Sequence, residues 1–439
     1  MRQASLFSLD IPLILALLCL IIIGILFIYS ANTDSDGKII KDEFLRQIIF
    51  AVIGIILLFF FSFFSYLKLR DLSLLIYLIS LGLLILTLVI NFFFNRSGIK
   101  PGSWLGIGGL GIQVSEFAKL STIIFLSSYL VRIGSRIAEL PYFILSLLII
   151  LAPVFLILLQ PDMGTALVFF PIFIAISWMA GTKKRYLAFL FFCGAVIIFI
   201  SMIPQFPKYF PVFQAPFFKV FILNEYLFIF ILIMLVISLL AFLGYFFFKE
   251  SYYYWIMYAA SIITSGSLLG LVGRKVFQPY QIKRLIIFLN PYVDTEKYGY
   301  NIIQSVTAVG SGGFWGKGFM AGTQSQLKYV PEQSNDFIFS IIAEEWGFLG
   351  GSLIFGLFIF ILLRCSRIIK NSGDLYARLL GTGIIAMLLY HCIINIGMTM
   401  GLMPITGIPL FFVSYGGSAL LTGLISVGII QNIYYRRYM

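Results

Sequence analysis

From Ile11 to Tyr29 the chain reads Ile11-Pro-Leu-Ile-Leu-Ala-Leu-Leu-Cys-Leu-Ile-Ile-Ile-Gly-Ile-Leu-Phe-Ile-Tyr29, without one charged residue. A bilayer core of roughly 30 Å is crossed by about 20 apolar residues in a helix. This run is therefore long enough to span a membrane. It also exceeds the roughly 7 to 15 apolar residues of a cleaved secretory signal, so it reads as a retained span behind Arg2 and Asp10. Further runs of similar length lie at 48–64, 72–94, 116–131, 142–159, 164–180, 186–203, 226–248, 252–272, 337–363, 379–400 and 407–433. The 439 residues are 61% hydrophobic, 17% aromatic and 11% charged, which excludes a soluble globular or a disordered chain. Long uninterrupted runs exclude the short alternation of an outer-membrane barrel. The expected fold is all-α, a polytopic transmembrane helical bundle of about twelve spans, forming one integral membrane domain over residues 1–439.

Charge sets the expected orientation. With the N-terminus cytoplasmic, the inner segments carry Arg2, Lys68, Arg70, Arg132, Arg136, Lys183 to Arg185, Lys249, Arg364, Arg367, Lys370, Arg378, Arg436 and Arg437. That distribution follows the positive-inside rule and places both termini in the cytoplasm. The net charge of +12 then has its explanation in loops facing an anionic leaflet, and no nucleic-acid partner is expected. Cys19, Cys193, Cys365 and Cys392 show no metal-ligand spacing. The single histidine, His391, lies in an apolar run, which excludes a His pair, a Cys/His dyad or a zinc triad. Carboxylates, Lys, Arg and hydroxyls are left to carry any chemistry.

The outer side holds the long segments 31–46, 95–115 and 273–336. The last carries Arg274, Lys275, Lys283, Arg284, Lys297, Lys317 and Lys328, a set that reads either as a solvated loop or as a site for an anionic ligand. Three stretches break the apolar pattern with Gly, Pro and charge together, where irregular backbone lines a cavity. The first is the glycine-rich run around Trp104 that ends in Ser115-Glu116-Phe-Ala-Lys119; Trp104 also suits an interfacial anchor, and Lys119, one turn into an apolar helix, needs Glu116 or a bound anion as partner. The second is Gln160-Pro-Asp162-Met-Gly-Thr165, where Asp162 is either a helix cap or a ligand-facing acid. The third is the 273–336 loop, closing with Glu332, Asp336, Glu344 and Glu345 at the entry to a span. Cations, carboxylates and glycine turns on one side suit transfer at a diphosphate. Lys and Arg hold the leaving group, a divalent cation bridges it to carboxylates, and a separate carboxylate takes a proton from the attacking hydroxyl.

These residues resemble the SEDS family of shape, elongation, division and sporulation proteins. The resemblance rests on Arg46-Gln47, on Trp104 with Ser115-Glu116-x-x-Lys119, and on Pro161-Asp162-x-Gly-Thr. It continues through Asn290-Pro-x-x-Asp294 with Gly299-Tyr300 and Gln304-Ser305, then Pro331-Glu332 with Asp336-Phe337, and Glu344-Glu345 with Gly347. It closes on Pro404-Ile-Thr-Gly407-Ile-Pro-Leu410-x-x-x-Ser414-Tyr-Gly-Gly417-Ser418, the most specific element. The run Gly322 to Leu327 resembles the elongation branch rather than the division branch. Three departures stand out: Ser334-Asn335 where His-Thr is usual, Phe411 where Pro is usual and Ala419 where Ser is usual.

The resemblance implies a ten-span core and a peptidoglycan glycosyltransferase of the bacterial cytoplasmic membrane. Such an enzyme joins lipid II into glycan strands at the outer face, releases undecaprenyl diphosphate, and works with a class B penicillin-binding protein and other elongation-complex proteins. By resemblance Asp294 is the catalytic base, Trp104 lines the substrate cavity, and Arg46, Lys119 and Asp162 hold diphosphate or metal. Lys328, Glu332, Asp336, Glu344 and Ser414 complete the expected substrate-binding set. A divalent cation, magnesium or manganese, is the expected cofactor, with its ligands unassigned and no organic cofactor. The apolar runs between Ile203 and Tyr280 exceed the ten-span core, so residues 205–272 read as an inserted helical hairpin, which preserves the parity that keeps 273–336 outside as the catalytic loop. A lipid II flippase is the alternative.

Overall fold

The computed structural model describes residues 9–34, 38–95, 104–105, 111–295 and 298–437. Its helices are α1 (Ile11–Asn32), α2 (Glu43–Phe63), α3 (Tyr66–Asp71), α4 (Ser73–Asn95), α5 (Val114–Ile133), α6 (Leu140–Leu158), α7 (Met163–Met179), α8 (Lys184–Met202) and α9 (Lys219–Ile222). They continue as α10 (Asn224–Phe248), α11 (Ser251–Val276), α12 (Pro279–Leu289), α13 (Tyr298–Ser311), α14 (Thr323–Gln326), α15 (Ile338–Lys370), α16 (Leu375–Thr399) and α17 (Gly417–Arg436). Among the described residues eleven helices are long and apolar enough to cross a membrane, and α7 is a shorter apolar helix. At 1.5 Å per residue α7 is only about 25 Å long. The chain is thus an all-α polytopic bundle, and each expected run holds a helix, except that residues 407–416 of the last run are irregular backbone ahead of α17. One short antiparallel pair, β1 (Trp104–Leu105) and β2 (Ile112–Gln113), sets Trp104 opposite Gln113 just before α5.

Several helices begin where a carboxylate accepts from otherwise unpaired N–H groups. Asp10 accepts from Leu13 N at the start of α1, Asp162 from Thr165 N at α7, and Asp374 from Tyr376 N and Ala377 N at α16. The contacts divide the chain into two compact units, Met1–Thr182 with Tyr300–Met439, and Lys183–Gly299.

In the first unit α17 lies at the centre, with 94% of its span buried, and packs along α2; α5, 78% buried, packs on α4 and α16. Near the start of α1, Arg364 of α15 grips Asp10 through two hydrogen bonds, Nη2 to Oδ2 at 2.7 Å and Nε to Oδ1 at 3.2 Å. Gln431 of α17 bonds both the N–H and the carbonyl of Asp10. Three helices are tied together there by side chains that leave no backbone group of Asp10 unpaired, as a low-dielectric setting requires.

In the second unit α10 and α11 form a helical hairpin that turns at Lys249, in the left-handed conformation with φ 54°. Helix α11 lies against α8 along a stripe of small residues. A Cβ added at Gly270 falls 2.7 Å from Cβ of Ile200, so the close approach depends on glycine. Arg274 then bonds the carbonyls of Ile200 at 3.1 Å, Ile222 at 3.1 Å and Phe221, together with Oδ1 of Asn224 at 2.6 Å. It fastens the ends of α8, α9 and α11 together. The region read from sequence as a long loop, 273–336, contains helices α12 and α13. In α12, Ile282, Ile286 and Ile287 are buried at helical spacing, while Lys283 and Arg284 lower the mean hydropathy that would have marked it.

Candidate functional site

The signature between α16 and α17 is irregular backbone, and side chains from distant elements satisfy it. Gln47 of α2 donates Nε2 to the carbonyl of Ser414 (3.1 Å) and accepts from Gly416 N (3.3 Å). Ser414 Oγ accepts from Leu410 N at 2.9 Å. Asn395 of α16 donates to the carbonyls of Ile408 (2.8 Å) and Asp336 (2.9 Å). The departure Ser334 has its own task here. Its carbonyl accepts from Tyr415 N at 2.8 Å, and its hydroxyl donates to Glu43 Oε2 at 2.5 Å. Ser414, expected to meet substrate, is buried and fastens the loop.

Beneath this loop lies a charged knot. Lys119 Nζ donates to Glu116 Oε1 at 2.7 Å, with the two side chains 0% and 1% exposed. The same ammonium is 2.9 Å from His391 Nε2, and His391 Nδ1 is 2.9 Å from the carbonyl of Pro409. A carbonyl only accepts, so Nδ1 carries the proton and the neutral ring accepts at Nε2. The ammonium also lies 5.5 Å from the Phe411 ring centroid, so this departure from the usual Pro supplies a cation–π partner. Lys119 was expected to hold a diphosphate; in this structure its charge is enclosed by Glu116, His391 and Phe411. Asp162 caps α7 and accepts from Thr165 Oγ1 (2.8 Å) and Gln113 Nε2 (2.9 Å), while Gln113 N donates to Ser418 Oγ (2.7 Å). Asp162 and the signature are thus linked through β2.

At the start of α15 two buried carboxylates fold the preceding turn around themselves. Glu344 accepts from Lys317 Nζ (2.9 Å), Gln324 N (2.9 Å) and Ser325 N (3.0 Å). Glu345 accepts from Ser30 Oγ (2.5 Å) and Met320 N (2.9 Å). Glu344 was expected to face substrate, but Lys317, Thr323, Gln324 and Ser325 of the preceding segment surround it, because a buried carboxylate demands several donors. Lys328 donates to the carbonyls of Ala31 (2.5 Å) and Thr33 (2.9 Å) at the end of α1, and burial lowers its pKa from the ordinary lysine value. Glu332 is exposed and accepts from Asn335 Nδ2 at 2.7 Å; Asp336 is half-buried; Arg46 is exposed in the first turn of α2. The Trp104 side chain and the glycine run 96–103 and 106–110 lie outside the described residues.

Asp294 belongs to the second unit. Pro279 and the reciprocal Gln278–Gln281 cap start α12, which carries Lys283, and Asn290 caps the 3₁₀ turn Pro291–Asp294 by accepting from Tyr292 N. The turn brings Asp294 Oδ2 within 2.8 Å of Lys283 Nζ, with the side chains 11% and 36% exposed. A Cβ at Gly299 would collide with the Asp294 carbonyl, so Gly299 lets the following chain close against the turn. A carboxylate beside an ammonium, both reachable from solvent, suits a proton acceptor next to an anion holder. Gln47, His391 and the Lys283 pairing were not assigned from sequence; Gln47 carried a signal in the Arg46-Gln47 pair, whereas His391 carried none. Among the described residues no three His, Cys, Asp or Glu side chains converge on one point.

The model of the cell cycle protein family of FtsW, RodA and SpoVE matches residues 11–219 and 217–439. The peptidoglycan glycosyltransferase RodA of Treponema pallidum is 42% identical over 435 residues, covering 99% of each chain. Stage V sporulation protein E of Bacillus subtilis is 33% identical over 434 residues, covering 98% of each. A chain from a solved peptidoglycan synthase complex, described as coordinating polymerization and crosslinking, superposes with a TM-score of 0.67 at 24% identity, covering 98% of this chain and 99% of that one. At that identity the likeness carries the fold.

Proposed function

The chain belongs to the cell cycle protein family of FtsW, RodA and SpoVE, and from that premise we propose that it is a peptidoglycan glycosyltransferase of the elongation type. It polymerises lipid II into glycan strands at the outer face of the bacterial cytoplasmic membrane and releases undecaprenyl diphosphate. The observation that carries this reading is the 42% identity to a RodA glycosyltransferase over 99% of both chains.

In this reading Asp294 accepts the proton of the attacking sugar hydroxyl while the hydroxyl oxygen bonds to the anomeric carbon of the donor. The carbon–oxygen bond to the diphosphate breaks, its electron pair leaves on the phosphate oxygen, and attack from the opposite face converts an α-linked donor into a β-linked strand. Lys283, 2.8 Å from Asp294, holds negative charge near the reacting centre. A divalent cation bound through one or two carboxylates and the substrate phosphates would add charge stabilisation at the leaving group. Arg46 and Asp162 remain the first unit's candidates for substrate contact. Both termini are cytoplasmic, and α10 with α11 is a two-span insertion into a ten-span core. The partner is a class B penicillin-binding protein, in keeping with a structural likeness to a synthase complex described as coordinating polymerization and crosslinking.

The test is strand formation from purified lipid II by this protein with its class B partner, with crosslinking blocked by a β-lactam. Native chain makes strands. Asp294→Ala, still folded and bound to partner, loses about 10²- to 10⁴-fold. Near-native strand formation by that variant refutes the role of Asp294.

A further inference from the structure

The segment between α8 and α10 reads Ile203-Pro-Gln-Phe-Pro-Lys-Tyr-Phe-Pro-Val-Phe-Gln-Ala-Pro-Phe-Phe-Lys-Val-Phe-Ile222. Its prolines break it into the 3₁₀ turns Ile203–Lys208, Pro211–Gln214 and Pro216–Phe218, so it crosses no membrane. One side is packed. Phe206 lies in a cluster with Met202 of α8 and Ile282 and Ile286 of α12, and Phe210, Phe213 and Val293 pack against it. The other side is open, with Val212 72% and Phe217 69% exposed, beside exposed Lys208 and Lys219.

Helix parity fixes where this surface lies. The segment follows one spanning helix and precedes another, so it sits at a membrane boundary. The hairpin α10–α11 returns the chain to the same side, where α12 and the Asp294 turn follow. The packed cluster joins the two pieces, and Val293 in that cluster precedes Asp294, whose carboxylate meets Lys283 at 2.8 Å. Apolar floor, cations and proton acceptor are therefore parts of one surface at one boundary. Large exposed apolar groups beside cations match a ligand with an apolar chain and an anionic head. The adjacency to Asp294 distinguishes a lipid that reacts from one that only fills the bilayer.

We propose that segment 203–222 and α12 form the docking surface for the lipid-linked diphosphate on which Asp294 acts, its chain lying on Val212 and Phe217 and its phosphates meeting Lys208 and Lys219. This rests on the glycosyltransferase reading above. The full chain with its class B partner is placed in phosphatidylcholine nanodiscs, and initial rates of strand formation are measured against lipid II concentration. Lys208→Gln with Lys219→Gln raises KM about tenfold with kcat retained, and Lys208→Arg with Lys219→Arg restores the native KM. Phe217→Ser raises KM for lipid II but not for an analogue with a short lipid chain. An unchanged KM in the Gln pair overturns the proposal. So does a rise in KM that appears only when anionic phospholipid is added to the discs, since the cations then hold bilayer lipid. Absence of strands from the native pair, or native rates from Asp294→Ala, instead defeats the reading on which the proposal rests.

Discussion

Replacing Lys119 with Met tests whether the charged knot is a closed structural unit. The side chains of Lys119 and Glu116 are 0% and 1% exposed, and Lys119 brings its ammonium to 2.7 Å from Glu116 Oε1. Removal of the ammonium leaves a buried carboxylate whose Oε2 already lacks a hydrogen-bond partner. Breaking a buried pair in this way costs about 3–5 kcal/mol, because the remaining charge is uncompensated. Removing both charges is different. In Glu116→Leu with Lys119→Met the uncompensated charge disappears, and the residual loss is that of His391 Nε2 left without its donor, about 1–3 kcal/mol. The double variant is therefore more stable than Lys119→Met alone. Unfolding in detergent, followed by the loss of monodisperse protein on heating and by denaturant titration, measures the order. A double variant destabilised by the sum of the two single changes refutes the closed pair, since independent sites add.

The seam between α8 and α11 gives a paired expectation. Gly270→Ala places a Cβ 2.7 Å from Cβ of Ile200 and destabilises by about 1–3 kcal/mol, whereas Gly82→Ala in α4, with open space around it, stabilises by up to about 1 kcal/mol; equal effects in thermal unfolding would remove the seam. The Tyr66 hydroxyl is pushed from its ordinary 10.0 up to about 12, first by burial and then by Asp374. The folded state holds that proton more tightly, so the contribution is whole below pH 10 and is lost as pH rises toward 12. Tyr66→Phe should flatten that part of the stability curve, and an unaltered alkaline limb would contradict it. A single reactive cysteine at Lys249, between α10 and α11, should react with membrane-impermeant reagents only from the cytoplasmic side; labelling from outside inverts the proposed topology.

The fold was legible in the sequence wherever hydrophobic length alone decides it. The run 11–29 and its companions became helices because in lipid no other backbone arrangement satisfies its own polar groups. Legibility failed for α12, whose eleven residues interleave buried isoleucines with Lys283 and Arg284 and so fall below any span-length signal. It also failed to foresee that α11 sits on α8, since the small residues of the stripe announce a close approach but not its partner.

The candidate site divides along the same line, between interactions local in sequence and those closed by the fold. The Lys119–Glu116 pair and the Asp162 cap were readable because three residues on a helix fix the neighbour. His391 lies 272 residues from Lys119, and nothing in its apolar surroundings marks it as the acceptor that completes the ammonium's shell. Glu344 shows why residue type alone misleads. A carboxylate at the mouth of a span is equally suited to hold a ligand or to gather backbone N–H groups, and the choice depends on whether glycine and serine turns upstream can reach it. Here Gly322 to Ser325 do reach it, with Gln324 N and Ser325 N at 2.9 and 3.0 Å. The donors a substrate would have used are already supplied by the chain. Asp294 is the contrasting case, because its turn presents one ammonium and leaves the carboxylate partly open to solvent. In the proposed mechanism this incompletely satisfied acid beside a cation takes the proton of the arriving hydroxyl.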